Sequence, residues 1–428
     1  ADIIESALHA ADPYTRVLDM IRLEGDELWI ENRCFDLTGF KNIYVVGAGK
    51  ATARIVKALE DVLGDRIGGG VVVLKHGAIS NLNRVEVFYG AHPIPDESGF
   101  RGAQAMMDLA NNCTVDDLVI AGITGGSSAL LPYPVPGVTL EEKRAVHKVL
   151  LWCGADIFEI NSVRKHLSHL KGGQLAKAIL PATIVNITVS DVIGDAFDYI
   201  TGPTVPDTST FEDARRVIGH YRIQDELPPS ARRYIENGSE TQETPKDFGD
   251  APVYTYLAVD SSVACTAACQ RAAELGYEPM LLTTMIKGEA KDIGLMFANV
   301  AHEIVYHNRP ITKPCAVIAG GENTVTILDQ HGKGGPNQVF ALAAAREIDG
   351  FKNVVIVSID TDGTDGPTEF AGGMVDGSTL KRAADKDLDV TTSIKNHNVS
   401  PVLSELGDAI ITGHTGTNIN DLKFFLVE

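Results

Sequence analysis

Short apolar runs alternate along this chain with stretches whose apolar residues recur every three or four positions. The run 42–46 predicts a strand, 51–63 a helix with Ile55, Leu59, Val62 and Leu63 on one face, and 70–75 a strand again. The alternation continues with a helix over 104–110, a strand over 118–123 and a helix opening at Thr139, where T-L-E-E through Glu142 has capping-box form. A buried strand follows over 183–189. Ahead of all these, 1–36 reads helical at first, from Ile3, Ile4, Ala7 and Leu8 and then Val17, Leu18, Met20 and Ile21. Strand, helix and strand in this order predict a parallel sheet.

Between 228 and 252 the pattern gives way to polar, Pro- and Gly-punctuated sequence, which predicts a domain boundary. The expected domains are 1–240 and 241–428, the first open to completion by the last residues of the chain. Beyond the boundary the predicted elements are a strand over 253–259, a helix over 263–274, a strand over 280–284, a helix over 292–306, a strand over 316–319, a helix over 338–347, and strands over 354–359 and 409–412. The fold class is therefore α/β, with two α/β lobes.

The length of 428 residues agrees with two domains, and the formal charge of −20 argues against nucleic acid as a partner, since phosphate binding needs an extended basic stripe. Cys34, Cys113, Cys153, Cys265, Cys269 and Cys315 are scattered and form no C-x-x-C pair, which favours a reducing compartment and no structural zinc. No apolar run approaches the roughly 18 residues of a spanning helix. A cytoplasmic protein is expected, with no membrane partner.

Against that acidic background, 161–173 (NSVRKHLSHLKGG) gathers Arg164, Lys165, His166, His169 and Lys171, which suggests a site for a small anion. With 163–170 helical, Arg164 and Lys165 lie within a turn of Asn161, and Gly172-Gly173 ends the element; a solvated charged face is the plainer alternative. Gly47, Gly49 and Lys50 lie in GAGKA, directly after a strand and opening a helix, where amides and a lysine attract anions. Neither a P-loop nor a dinucleotide fingerprint fits, because Tyr44, Ala51 and Thr52 stand where those motifs need other residues. Gly125, Gly126, Ser127 and Ser128 form a second glycine turn suited to a phosphate or carboxylate oxygen, with no nucleophile elbow. Asp191, Asp360 and Asp362 lie at or just past strand ends, and with Glu322 and Asp365 they are candidates for Mg²⁺ or for ordinary turn chemistry. GKGGPNQ, with Gly334, Gly335 and Asn337, and TGHTGTNIND, with Thr415 and Asn418, suit a phosphate or sugar.

Taken in order, GAGKA, HPIPD, GGSSALL, NSVRKHLSHLKGGQLA, VSDVIGD, GP…PD, GGE, GGPNQ, DTDGTDGPT and TGTNIND resemble the glycerate 2-kinases with a C-terminal MOFRL domain, whose older members carry the label hydroxypyruvate reductase. The resemblance runs nearly end to end. It implies a Rossmann-like N-terminal domain, a second α/β domain and an active site in the cleft between them, with ATP and Mg²⁺ used to phosphorylate the 2-hydroxyl of D-glycerate. By position it implies that Lys50 contacts phosphate, that Arg164 with Lys165 forms the basic signature, that Asp191 takes or orients the hydroxyl proton, and that Asp362 and Asp365 belong to the acidic loop. Asn161, Lys165, Ser127 and Ser128 are then expected on the substrate, the glycine loops with Asn337, Thr415 and Asn418 on the nucleotide, and Glu322, Asp362 and Asp365 on the metal. Two departures stand out: Pro336 replaces the arginine of a GGRNQ motif, throwing its charge onto Lys333 or Lys50, and His414 stands where proline is common. The alternatives are an NAD(P)H-dependent hydroxypyruvate reductase and a non-catalytic metabolite binder. The expected partners are D-glycerate and a nucleotide, and a homodimer is admitted.

Overall fold

A computed structural model of the chain describes residues 1–190, 202–327 and 332–428. The chain divides into two compact units, 13–258 and 1–12 together with 259–428.

The first unit opens with a helix, Pro13–Met20, and an antiparallel meander of β1 (Ile21–Glu24), β2 (Glu27–Ile30) and β3 (Arg33–Asp36). Four-residue strands are too short to show a period, which is why the helical signal ahead of them dominates the reading of 1–36. The main sheet is built from β4 (Asn42–Ala48), β5 (Ile67–Lys75), β6 (Glu86–Gly90), β7 (Asp117–Thr124), β8 (Thr183–Val189) and β9 (Val253–Val259), in the order β6-β5-β4-β7-β8-β9. β4 runs parallel to β5 and β7, β5 to β6, and β7 to β8. All eight residues of β7 are buried, as expected of a parallel strand covered on both faces. Ala103, Met106 and Ala110 from the helix Glu97–Asn111, and Leu175 and Ile179 from Gln174–Ile179, pack on the sheet. From β4 the chain moves outward through β5 and β6 and returns on the other side at β7. This reversal leaves a crevice beyond the carboxyl ends of β4 and β7, where open α/β sheets place ligands.

A second core in this unit joins the helices Leu140–Trp152, Ile157–His166, Phe211–His220 and Pro229–Glu236 through Val146, Leu150, Val163, Phe211 and Val217. Thr139 caps its helix with the reciprocal Glu142 bond that T-L-E-E predicts. The basic segment differs from expectation. Asp156 and Glu159 form a capping box, so the helix starts at Ile157 and ends at His166. Gly172 and Gly173 do not terminate it; Gly173, at φ +78°, is the N-cap of the next helix.

The second unit carries a mixed sheet of β10 (Glu278–Ile286), β11 (Cys315–Gly321), β12 (Val354–Asp360), β13 (Gly372–Asp376), β14 (Ala409–Ile410) and β15 (Asp421–Val427), in the order β10-β11-β15-β12-β13-β14. β10 and β11 are parallel and the other neighbours antiparallel. The α/β expectation holds for both units.

The boundary lies later than the expected 240. The polar stretch is followed by β9, which joins the first sheet, and Asp207 and Ile184 donate backbone hydrogen bonds to Pro245 and Pro252. At the other end, residues 1–12 belong to the second unit: the helix Asp2–Ala10 packs on Ser261–Glu274, and Arg271 lies 3.0 Å from Asp2. Nor do the last residues complete the first unit, because β15 is inserted between β11 and β12.

Candidate active site

At the switch point of the first sheet, the turns after β4 and β7 interlock. Lys50 N–H donates to Gly125 O at 2.9 Å, Ala51 N–H to Thr124 Oγ1 at 3.1 Å, and Thr52 Oγ1 to Gly122 O at 2.9 Å. Gly49 sits at φ +138°, and a Cβ there would meet Thr124 Oγ1 at 2.0 Å. Both the backbone angle and the contact require glycine. Gly49→Ala is therefore expected to cost about 2 kcal/mol or more of stability, read as a fall in the thermal midpoint. A Cβ on Gly126 would touch His92 and the Lys50 side chain at 3.3–3.4 Å. Gly47, Gly49, Lys50, Gly125 and Gly126 thus lie together, and His92 of HPIPD joins them.

The helical core supplies the other side. In Leu140–Trp152 the inward positions are Leu140, Lys143, Val146, His147 and Leu150, so two core-facing positions carry basic side chains. Lys143 donates to Leu167 O at 2.8 Å, and Lys171, also buried, donates to Leu131 O. Arg164 shares a cavity lining with Ser128, Lys143 and His147. Among the described residues no carboxylate lies within ion-pair distance of Arg164, Lys143 or Lys171. Burial first, and then their mutual repulsion, disfavours the charged forms of these groups. Burial, then Arg164, brings Lys143 down to about 7; burial, then Arg164, Lys171, Lys143 and His92, brings His147 down to about 3. Burial, then Lys50, Lys75 and Arg164, holds His92 at about 4, and burial brings Arg164 to about 10. Charges buried together without a counter-charge are costly, and an anionic ligand relieves that cost.

The rest of the basic segment is otherwise engaged. Lys165, one residue along the helix from Arg164 and so on a different face, pairs in the interior with Asp207 at 3.0 Å, while Ser209 and Thr244 also donate to that carboxylate. His166 bonds Ser162 O and Glu243, and His169 is exposed. Lys165, expected on the substrate, is thus paired with Asp207 inside the protein. Asn161 is buried, with its Oδ1 3.4 Å from Arg164. Asp191 lies outside the described residues.

In the second unit, three loops meet at one end of the central strands, where Asp421 stands opposite both Gly321 and Asp360. The helix Pro336–Glu347 begins there, and Asp365 holds its first turn, accepting from Asn337 N at 3.1 Å, Gln338 N at 2.9 Å and Gln338 Nε2 at 3.0 Å. Gly335 approaches so closely that a Cβ would lie 2.3 Å from the Asp365 carboxyl, and a Cβ on Gly334 would lie 2.6 Å from Val399. Asn337 donates to Asp421 at 2.7 Å and accepts from Ser358, while Lys423, fully buried, pairs with Asp421. Thr415 donates to Thr361 O at 2.6 Å, and Asn418 lies in the same loop.

This corrects two expectations. Asn337 is spent inside the protein, not on a nucleotide. Asp365 is a helix-capping carboxylate, Glu322 is exposed, and Asp362 accepts from Thr364 at 2.7 Å, so these three do not form a metal cage. Among the described residues no group of three acidic, histidine or cysteine side chains could hold a metal ion. Pro336 takes the first helical position and Lys333 is exposed.

Asp360 is the most perturbed acid of this cluster. Burial, then Asp362 and Asp421, pushes it up to about 8, and Asp365 is raised by burial to about 6. For a carboxyl raised in the fold, the stabilising protonated form is fully present below the ordinary carboxylate range and is lost as pH rises through the folded value. Asp360→Asn should therefore raise the thermal midpoint at pH 8 to 9 and leave it nearly unchanged at pH 4. Melting curves across that range check the sign.

Comparison with known proteins places these features in a family. A family described as "Domain of unknown function (DUF4147)" matches residues 1–236, and the MOFRL family matches 315–421. The glycerate 2-kinase of Pyrococcus horikoshii is 42% identical over 99% of this chain and 96% of its own. The crystal structure of glycerate kinase from Thermotoga maritima superposes with a TM-score of 0.88 at 36% identity, covering 100% of this chain and 98% of that one. A protein of Agrobacterium vitis, 37% identical over 90% of this chain and 98% of its own, is provisionally named a hydroxypyruvate reductase.

Proposed function

The chain belongs to the glycerate 2-kinase family with a C-terminal MOFRL domain, and on that footing we propose that it transfers the γ-phosphoryl group of ATP to the 2-hydroxyl of D-glycerate, giving 2-phospho-D-glycerate and ADP. The observation that carries the acceptor side is the cluster of the half-buried Arg164 with the buried Lys143, Lys171 and His147, in which neither Arg164 nor either lysine has a carboxylate partner among the described residues. An acceptor carboxylate supplies the missing charge. In this reading Arg164 and the Ser127–Ser128 turn hold that carboxylate by charge-assisted bonds. Lys50, whose backbone is pinned to Gly125, steadies the transferring phosphoryl group. The proton of the 2-hydroxyl is assigned to Asp191 by its place in VSDVIGD.

A protein-held magnesium ion does not fit Glu322, Asp362 and Asp365. Magnesium is proposed instead to enter as part of the MgATP substrate, as this ion commonly does.

The reductase reading gains little from the glycine loop. Thr52 stands where the dinucleotide fingerprint needs Gly or Ala, and its hydroxyl is bonded to Gly122 O. Mixing the protein with D-glycerate and MgATP should release ADP, while hydroxypyruvate with NADH should leave the NADH absorbance unchanged. NADH oxidation without ADP release would reverse the assignment.

A further inference from the structure

We infer that the small cavity lined by Ser128, Lys143, His147 and Arg164 is a subsite for one oxygen of the acceptor's carboxylate, and that Lys143 and His147 thereby select short hydroxy acids over uncharged molecules of the same shape. The identity of the acceptor rests on the kinase reading above; the chemistry of the subsite rests on its lining.

The cavity has a volume of about 20 Å³, which admits one water-sized guest and no tetrahedral phosphate. Val146 and Leu167 add apolar wall. Two buried polar atoms of the lining, Ser128 Oγ and His147 Nε2, have no hydrogen-bond partner. Buried polar groups are nearly always satisfied, so an orphaned pair in one cavity points to a missing guest. His147 is 7% exposed and Lys143 8%. Lys143 has three N–H bonds to give, and its bond to Leu167 O uses one.

The character of the guest follows from what the lining offers. Arg164 and Lys143 can only donate, and Ser128 can donate. His147, held neutral by burial and then by its basic neighbours, can donate through Nε2–H without adding a further positive charge. A guest met by four donors must be an acceptor, and two of those donors, the half-buried Arg164 and the buried Lys143, are basic side chains. A carboxylate oxygen satisfies both demands. A hydroxyl or amide oxygen fits the space but supplies no charge.

Calorimetric titration with D-glycerate and with its uncharged amide, glyceramide, separates these roles without relying on turnover. The wild-type protein should bind glycerate at least about tenfold more tightly than the amide. In His147→Leu and Lys143→Met that preference should shrink by about tenfold, with glyceramide affinity little changed, and His147→Asn should recover part of it. Should His147→Leu fail to fold, Lys143→Met and His147→Asn carry the comparison. Variants that keep the full wild-type preference would overturn the subsite, since that is the result expected of a cavity that holds only water. Turnover of the same samples with MgATP is scored separately. Selective glycerate binding without phosphorylation would sink the kinase reading and leave the subsite standing, whereas no glycerate binding by the wild type would sink the subsite.

Discussion

Arg164→Gln should raise the KM for D-glycerate by about 10²-fold or more and, in the same protein, raise the thermal midpoint measured without ligand. The first effect follows from removing one partner of a desolvated charge pair, a loss of about 2–5 kcal/mol. The second follows from the electrostatics of the empty site. Arg164 lies among Lys143, His147 and Lys171 with no carboxylate partner among the described residues, and it contributes to the depression of Lys143 and His147. Deleting its charge relieves that repulsion. Loss of function joined to a gain in stability marks a side chain kept for its ligand. A variant that lost both would mark Arg164 as a structural residue.

Lys50→Ala should act on the chemical step, lowering kcat by about 10²-fold or more with a smaller change in the KM for glycerate. The loop that carries Lys50 is fixed by the bonds of Lys50 and Ala51 to the turn after β7, so truncation of the side chain should leave the fold intact. Steady-state kinetics of the variant at saturating glycerate decides the matter. A near-normal kcat would remove Lys50 from the chemistry.

The parallel sheet and its two glycine turns were legible in the sequence because buried parallel strands read as unbroken Val/Ile runs and the turns follow directly at their ends. β15 was not. Its run DLKFFLV contains Lys423, and a lysine inside a central strand argues against one unless a buried partner such as Asp421 is known. The same blindness affected the site. A basic segment next to Asn161 was visible, but consecutive residues on a helix face different ways, and only the structure separates Arg164 from Lys165 with its partner Asp207. Lys143 and His147 were missed although a signal existed: the periodicity of Leu140–Trp152 points both inward. Asp365 and Asn337 were assigned to ligands because Asp and Asn at glycine turns serve metal sites, nucleotide loops and helix caps alike. Which of these applies depends on the helix that starts at Pro336, two residues earlier than its apolar period suggests.

On the proposed function, this chain phosphorylates the 2-hydroxyl of D-glycerate. Phosphorus NMR of the product formed from D-glycerate and MgATP tests it most directly, because the coupling of the ester phosphorus to its carbon-bound protons distinguishes attachment at a CH from attachment at a CH₂. A single phosphomonoester split into a doublet by the one proton at C2 is expected. A triplet, the pattern of phosphate at the 3-position, or the absence of any new ester would contradict it.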